Sequence, residues 1–185
     1  MNIQNSLHLS FRLMSEKDQQ LLFELDQNPE VMKYVNDGKP TTWQQIKERF
    51  IPRLNAYRNP DKGWGLWQVN ITATNEYIGW ILVRPENFFT EHRNDKNLEI
   101  GWRFKQQHWG KGYATEAAQA VLEALSGQPD IEAFSAIAVP ENKGSIRVME
   151  KLGMTYIKTY IHEDSGIREE AVYYQREVSS PFNNK

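Results

Sequence analysis

The stretch from Gln107 to Ala117 (QHWGKGYATEA) constrains the fold most, because it places two glycines directly ahead of a helical pattern. Gly110 and Gly112 flank Lys111, and glycine lets the backbone turn sharply and approach a ligand closely. Successive backbone amides at the start of a helix converge on an anion, and the helix dipole favours negative charge there. We therefore predict a phosphate-binding cradle between a strand and a helix.

The apolar pattern around this cradle predicts a strand–helix–strand crossover. A strand is predicted over 97–104, and its internal glycine, Gly101, predicts a β-bulge. From Ala114 to Leu125, apolar residues recur at i, i+3, i+4, i+7, i+8 and i+11, which is typical of a helix buried on one face. An apolar strand over 133–139 comes next, so the two strands are expected to run roughly parallel.

The rest of the chain predicts an antiparallel sheet with helices packed against it. Alternating or continuous apolar runs predict strands over 7–13, 66–71, 77–83, 155–161 and 170–178, and a surface loop is predicted over 86–96. Ser15 and Asp18 form a capping-box pattern at a helix start. Pro52 is expected to kink or end the helix that begins near Thr42, because proline lacks the backbone donor.

Length and composition favour one domain. At 185 residues with 39% hydrophobic residues, the chain can bury a sizeable core, and no linker divides it. We predict a single domain over 1–185, with its core at about 7–178 and a frayed tail at 179–185. No signal peptide or membrane-spanning run is seen, so a cytoplasmic location without a membrane partner is expected.

Charge and composition also exclude several kinds of site. The net charge of −2, without a basic run, argues against nucleic-acid binding. The absence of cysteine excludes thiol nucleophiles, disulfides and thiolate metal ligands. No metal site is predicted, because ligand spacing is lacking among the four histidines, His8, His92, His108 and His162.

Three ordered blocks of residues resemble the GCN5-related N-acetyltransferases (the GNAT family), most closely the branch of ribosomal-protein-alanine N-acetyltransferases. The blocks are LEIGW at 98–102, Q-x-x-G-x-GYATEA at 107–117 and N-x-x-S-x-x-x-x-x-KLG at 142–153. The likeness runs from about Leu7 to about Val178. It implies a mixed α/β fold with a central twisted, mostly antiparallel sheet, whose parallel strands 4 and 5 splay apart and form an acetyl-CoA cleft.

The same resemblance implies which residues hold acetyl-CoA. The implied set is Trp102, Arg103, Phe104, Gln107, His108, Trp109, Gly110, Lys111, Gly112, Tyr113, Ala114, Asn142 and Ser145. Backbone amides of 107–114 would hold the pyrophosphate, and the pantetheine arm would lie between 102–104 and 136–139. The bulge at Gly101 would free a strand N–H to bind the thioester carbonyl.

Three residues are candidates for catalysis. Without a cysteine, direct attack by the amine in a ternary complex fits best, and Glu99 is the candidate base; the alternative is that Glu99 lies on a solvated strand face. Asn142 could bind pantetheine or order the amine, and it could also simply cap the next helix. Ser145 is the candidate proton donor to the thiolate, because Met149 stands where many family members have a tyrosine.

Two other functions are alternatives to N-acetyl transfer. A non-catalytic acyl-CoA-binding or regulatory domain would keep the cradle without the chemistry, but the catalytic candidates argue against it. A nucleotide kinase is excluded because Lys111 lies between the glycines rather than after them. The expected acceptor is a protein N-terminus or a small-molecule amine, such as a polyamine, an amino sugar or an amino-acid-like metabolite. Both a monomer and a homodimer are compatible with the sequence.

Acceptor walls are expected by family analogy around 34–39 and in the last hairpin. Several carboxylates near that hairpin could attract a cationic amine, although solvated loops carry such residues anyway. Trp43, Trp64 and Trp67 are candidate pocket aromatics, with the core as the alternative.

Overall fold

A computed structural model describes residues 1–36, 38–164 and 166–178 of the chain. The tail predicted to be frayed, 179–185, lies outside these residues. Within them, no helix is both long enough and apolar enough to cross a lipid bilayer.

The described residues form a seven-stranded mixed sheet with helices on both faces. The strands are β1 (Leu9–Leu13), β2 (Gly65–Ile71), β3 (Tyr77–Glu86), β4 (Asn94–Phe104), β5 (Ala133–Ala138), β6 (Thr155–Asp164) and β7 (Ile167–Glu177). Their order across the sheet is β1-β2-β3-β4-β5-β7-β6, and every neighbouring pair is antiparallel except β4 and β5. The predicted fold class and the parallel crossover are confirmed.

The helices fill the connections on either side of the sheet. They are α1 (Gln19–Leu25), α2 (Pro29–Met32), α3 (Trp43–Gln45), α4 (Ile51–Tyr57), α5 (Tyr113–Ser126) and α6 (Lys143–Lys151). Short 3-10 turns at Glu16–Asp18 and Gln106–His108 precede α1 and the cradle, and a π-helical segment, Ile46–Phe50, joins α3 to α4.

Two hydrophobic clusters lie on opposite faces of the sheet, because successive strand residues point to opposite sides. One cluster joins α5 and α6 to the sheet and includes Trp67, Ile81 and Leu122. The other joins α1 and α4 to the sheet and includes Leu22 and Leu54. The central strands are thus buried on both faces, so their sequences show no polar alternation.

The helix-start prediction at Ser15 is confirmed. The Ser15 amide donates to the Asp18 carboxylate at 2.8 Å, and the Ser15 hydroxyl accepts from the amide of Lys17 at 3.3 Å. Thr42 and Gln45 form a second capping box, in which each side chain accepts the other's backbone N–H. Local pairing of this kind fixes where each helix begins.

Pro52 does not end its helix, which continues to Tyr57. The preceding turn is π-helical, and the Ile51 amide donates to the carbonyl of Ile46, five residues back. This wider turn changes the hydrogen-bonding register just before a residue that has no N–H to donate.

Of two expectations around β4, one holds in the main and one is wrong. The predicted loop over 86–96 is confirmed for 87–93, which connect β3 to β4, while Glu86 and 94–96 extend the two strands. Gly101 makes no bulge: it pairs with Leu82, and residues 98–104 stay in continuous register with β3. The register shift in this pair lies at Pro85 and Glu86, where the two strands have unequal lengths.

The parallel pair β4 and β5 splays apart as expected. The ladder joins only Asn97 to Ala133, Leu98 to Phe134 and Glu99 to Ser135. Beyond this point β4 remains paired with β3 and β5 with β7. The divergence opens a gap between the two strands, and it leaves their facing backbone edges unpaired with each other.

Candidate active site

A cavity, here called the splay cleft, occupies the gap between β4 and β5. Its walls come from β4, the cradle, the start of α6 and the segment after α2. The lining includes Val31, Tyr34, Val35, Ile100, Gly101, Trp102, Phe104, Trp109, Gly110, Ala114, Ile137, Ala138, Val139, Asn142 and Ser145. Three distant parts of the chain therefore build one groove.

The cradle has the backbone shape that an anion site needs. Gly110 and Gly112 are left-handed, with φ of 73° and 84°, a conformation that favours glycine. Gly112 caps α5 without a side-chain hydrogen bond, and no heavy atom lies within 4 Å of a Cβ built on either glycine. Within the described residues, the amides of 110–114 donate no hydrogen bond, so they converge unpaired at the positive end of α5.

The set of cradle amides is smaller than predicted. The amides of His108 and Trp109 donate to the carbonyls of Lys105 and Gln106, at 3.0 Å each, within the 3-10 turn. These two groups are therefore already satisfied, and the consecutive free amides of the cradle are those of 110–114.

The side chains of the predicted cradle point in several directions. The buried ring of His108 turns to Glu76, with Nε2 at 3.0 Å from Oε1, and this hydrogen bond lowers the pKa of Glu76. Trp109 donates its indole N–H to the Phe104 carbonyl at 2.8 Å while its ring lines the splay cleft. Lys111 is exposed, and Gln107 also lies near Glu76, at 3.4 Å.

Alternation along β4 separates its three predicted cofactor residues. Trp102 and Phe104 line the splay cleft. The side chain of Arg103 points to the other face of the sheet, where it donates to the buried Asp26 carboxylate at 2.6 Å. Its guanidinium carbon also lies over the Trp80 ring, 5.0 Å from the ring centroid. Thr41 also donates to Asp26, at 2.7 Å. The Arg103 guanidinium is thus held in an ion pair on that face.

Asn142 caps α6 and also lines the splay cleft. Its side-chain oxygen accepts from the Ser145 amide at 3.1 Å, which confirms the capping alternative. Ser145 lines the same cleft, one turn into the helix. Met149 is 1% exposed within the core, so packing occupies the position where the family often has a tyrosine.

Glu99 forms a bidentate ion pair. Arg84 donates to its two carboxylate oxygens at 2.9 and 3.0 Å, and both side chains are about 15% exposed. Burial acts to lower the pKa of Arg84, but the Glu99 carboxylate outweighs this effect and raises that pKa above its usual value. Arg84 stands on the wall of the neighbouring cavity, and Glu99 lies beside it.

That neighbouring cavity, here called the helix-side cavity, lies between the sheet and α1 to α4. Its lining is Leu22, Asp26, Val35, Arg49, Phe50, Arg53, Tyr57, Leu66, Trp80, Leu82, Arg84, Arg103, His162, Asp164 and Glu169. It shares Val35, Trp80, Leu82, Arg103 and Glu169 with the splay cleft. These shared residues form a junction where the two cavities meet.

Residues 8–155 match the family model described as an acetyltransferase (GNAT) domain. The chain belongs to the GNAT acetyltransferase family. An uncharacterised protein of Bacillus subtilis, YkkB, is 36% identical over 154 residues, which are 82% of this chain and 84% of that protein.

Solved structures share the fold of this GNAT domain over almost its whole length. A GNAT-family acetyltransferase from Bacillus anthracis matches with a TM-score of 0.75 and 26% identity, over 97% of this chain and 100% of that one. The ribosomal L7/L12 acetyltransferase RimL, solved with coenzyme A, matches with a TM-score of 0.73 over 96% and 98% of the chains. At 17% identity, the RimL likeness concerns the fold alone.

The residues predicted for this GNAT site fall into two groups. The splay cleft brings together Trp102, Arg103, Phe104, Trp109, Gly110, Ala114, Asn142 and Ser145, although the Arg103 guanidinium is bound to Asp26. Outside its lining lie Glu99, Gln107, His108, Lys111, Gly112 and Tyr113, although the last three belong to the cradle backbone. The Tyr113 ring packs beside those of His8 and His108, each at 6.2 Å between centroids.

Sequence reasoning missed the aromatic residue at the junction. Trp64 and Trp67 are buried in the core, and Trp43 packs against Phe23, so none lines either cavity. Trp80 lines both cavities, and its sequence context is a continuous apolar run without alternation. No local signal distinguishes it from the core.

Glu169 is one of the carboxylates near the last hairpin for which the sequence leaves two alternatives, attraction of a cationic amine or a solvated loop. The structure places it at the junction, on β7, opposite the helices. Glu169 pairs with His162 of β6, and the rest of β7 pairs with β5, a segment more than thirty residues away in the chain.

Proposed function

We propose that this GNAT domain is an acetyl-CoA-dependent N-acetyltransferase that acts on a primary amine by direct attack in a ternary complex. The observation that carries the proposal is the junction, where the splay cleft and the helix-side cavity meet. Two substrates entering from opposite faces of the sheet would meet there, and holding them together supplies much of the catalysis.

The splay cleft fits coenzyme A in chemistry. The free amides of 110–114 at the α5 N-terminus suit a pyrophosphate, and Gly110 and Gly112 allow close backbone approach. Trp102 and Val139 both line the cleft where a pantetheine arm would lie. Bound acetyl-CoA would supply the activated acyl group as a thioester.

The unpaired edge of β4 is the proposed stabiliser of the thioester carbonyl. Beyond Glu99, β5 no longer pairs with β4, so strand N–H groups can donate to an oxygen in the cleft. Fixed backbone donors stabilise the negative charge that grows on a carbonyl under attack. The splay thus provides the free strand N–H groups that the sequence predicts from a bulge at Gly101.

Glu99 remains the proposed base. Each of its oxygens receives one hydrogen bond from Arg84 and retains a further acceptor site, which a bridging water could use. Glu169 is the second candidate, because it lies on the wall of both cavities. In either case the carboxylate accepts the proton that the amine loses as its nitrogen bonds to the acyl carbon.

Ser145 and Asn142 are proposed to serve the leaving group. The Ser145 hydroxyl lines the cleft at the start of α6, where it can donate a proton to the thiolate sulfur as the carbon–sulfur bond breaks. Asn142 uses its oxygen to cap α6, which leaves its amide N–H groups for the cofactor.

The test measures thiol release from acetyl-CoA over a panel of amines and N-terminal peptides, with Glu99→Gln and Glu169→Gln beside the wild type. We expect amine-dependent thiol release and a loss on the order of 10²- to 10⁴-fold in kcat for the variant that removes the base. Coenzyme A binding measured by calorimetry, without turnover of any amine, would instead favour the non-catalytic acyl-CoA-binding domain. Equal turnover by both variants would reject both base assignments and leave the transferase intact.

A further inference from the structure

The helix-side cavity combines apolar walls with four arginines. Three of these are bound to carboxylates: Arg84 to Glu99 at 2.9 Å, Arg103 to Asp26 at 2.6 Å, and Arg53 to Asp164 at 2.7 Å. Each pair neutralises its own guanidinium, so none of the three needs a ligand to balance its charge.

Arg49 is the fourth arginine, and its environment differs. It lies on the π-helical segment and is partly buried in the cavity wall. Across residues 1–36, 38–164 and 166–178, its guanidinium makes no ion pair and no hydrogen bond. A guanidinium that is partly withdrawn from water beside apolar side chains gains most from a planar anion that accepts two parallel N–H bonds.

The remaining walls define the body of the ligand. Leu22, Phe50 and Leu66 are apolar, and they line the cavity together with Arg49. At the junction, Glu169 presents a carboxylate to the same cavity and to the splay cleft. An amine directed to the junction therefore leaves an apolar body along these walls and an anionic group for Arg49.

We infer that the acceptor is a small amine with an apolar body and one carboxylate, as in an apolar amino acid, and that Arg49 binds this carboxylate. The inference rests on the proposed acetyl transfer and names its substrate class. A single guanidinium matches a single negative charge. A polyamine would instead bring further positive charges towards Arg49, which is unfavourable in a partly buried site, and an amino sugar would bring no anion to bind it.

The test compares amines that differ only in the carboxylate. L-phenylalanine is paired with phenethylamine, and L-leucine with isopentylamine, and kcat/KM is measured for the wild type, Arg49→Gln and Lys47→Gln. Lys47 is an exposed cation two residues away that lines neither cavity, so it is the matched control. Comparing variants on the same pair cancels the difference in basicity between the two amines.

We expect Arg49→Gln to lower kcat/KM for the carboxylate-bearing amine by about 10- to 100-fold, mostly through KM, because a charge-assisted pair is lost. Turnover of the partner without the carboxylate should stay unchanged, and Lys47→Gln should behave as the wild type. Calorimetry with the two products should show that Arg49→Gln weakens the binding of N-acetyl-L-phenylalanine to a similar extent. It should leave the binding of N-acetylphenethylamine unchanged.

Two results would overturn the inference and leave acetyl transfer standing. One is an equal fall in kcat/KM on Arg49→Gln for the amine with the carboxylate and for its partner without it. The other is turnover confined to spermidine, glucosamine or N-terminal peptides. If coenzyme A binds and no amine at all accelerates thiol release, the proposed function fails, and the inference fails with it.

Discussion

Replacing Asp26 with asparagine should destabilise the fold strongly. The carboxylate is 2% exposed, and it accepts from Arg103 at 2.6 Å and from Thr41 at 2.7 Å. The asparagine keeps the shape and can still accept from Thr41, but it removes the negative charge. The Arg103 guanidinium, itself 11% exposed, is then left as a buried charge without its partner.

The expected cost follows from that unpaired charge. Breaking a buried ion pair by removing one partner costs about 3–5 kcal/mol. For Asp26→Asn we expect the lower end of this cost, because Arg103 keeps its contact with the Trp80 ring. Unfolding entropy for a chain of 185 residues is roughly 0.4 kcal/mol per kelvin, so a loss of about 3 kcal/mol lowers Tm by about 8 °C.

Urea unfolding followed by tryptophan fluorescence measures this change. The control is Glu132→Gln, which makes the same substitution in the exposed pair with Lys96 and should not shift the midpoint measurably. Asp26→Asn combined with Arg103→Met should recover most of the loss, since no charge then remains buried. A loss below about 1 kcal/mol for Asp26→Asn, or a double variant as unstable as the single one, would refute the buried-charge reasoning.

Three further outcomes are expected. A methyl group at Gly79 would lie 2.3 Å from the Arg103 carbonyl oxygen, so Gly79→Ala should cost at least about 2 kcal/mol in urea unfolding. A methyl group at Gly112 would contact no neighbouring atom, so Gly112→Ala should lower the free energy of unfolding by only about 1 kcal/mol, the cost of a left-handed φ of 84°. Calorimetry should show weaker coenzyme A binding by the same variant. Burial raises the pKa of Asp18, but hydrogen bonds, chiefly from Arg12, outweigh it and lower that pKa below 3.8. The Asp18 contribution is therefore complete above pH 3.8 and lost as pH falls through the lowered pKa, so Asp18→Asn should reduce stability at pH 7 and flatten the acid side of a stability profile.

Features set by neighbours in the sequence were predictable. The Ser15–Asp18 capping box, the apolar face of α5 and the glycine cap of α6 each involve residues within one or two helical turns. Gly153, for example, has φ of 74° and donates to the Glu150 carbonyl at 3.0 Å, as a helix-ending glycine should. Residue type and spacing suffice there, because the partners lie on the same helix.

Contacts between distant segments were not predictable. The Asp26–Arg103 pair joins residues 77 positions apart, and nothing near either residue indicates the other. Glu99 was assigned from its position on the strand, but its partner, Arg84, depends on the register of β3 with β4. Because both strands are buried on both faces, alternation could not show which side chains share a face.

The unpaired strand edges explain why the site lies where it does. The β3–β4 ladder continues to Phe104 and the β5–β7 ladder to Ala138, while the ladder between β4 and β5 ends at Glu99. The sheet therefore divides into two intact halves with polar backbone groups exposed along the gap. Buried polar groups without partners are costly, so this gap must be filled by water or by a ligand that supplies acceptors and donors. A pantetheine arm, with its two amides, offers both along an extended chain, which is why the splay supports coenzyme A more strongly than the glycine cradle does alone.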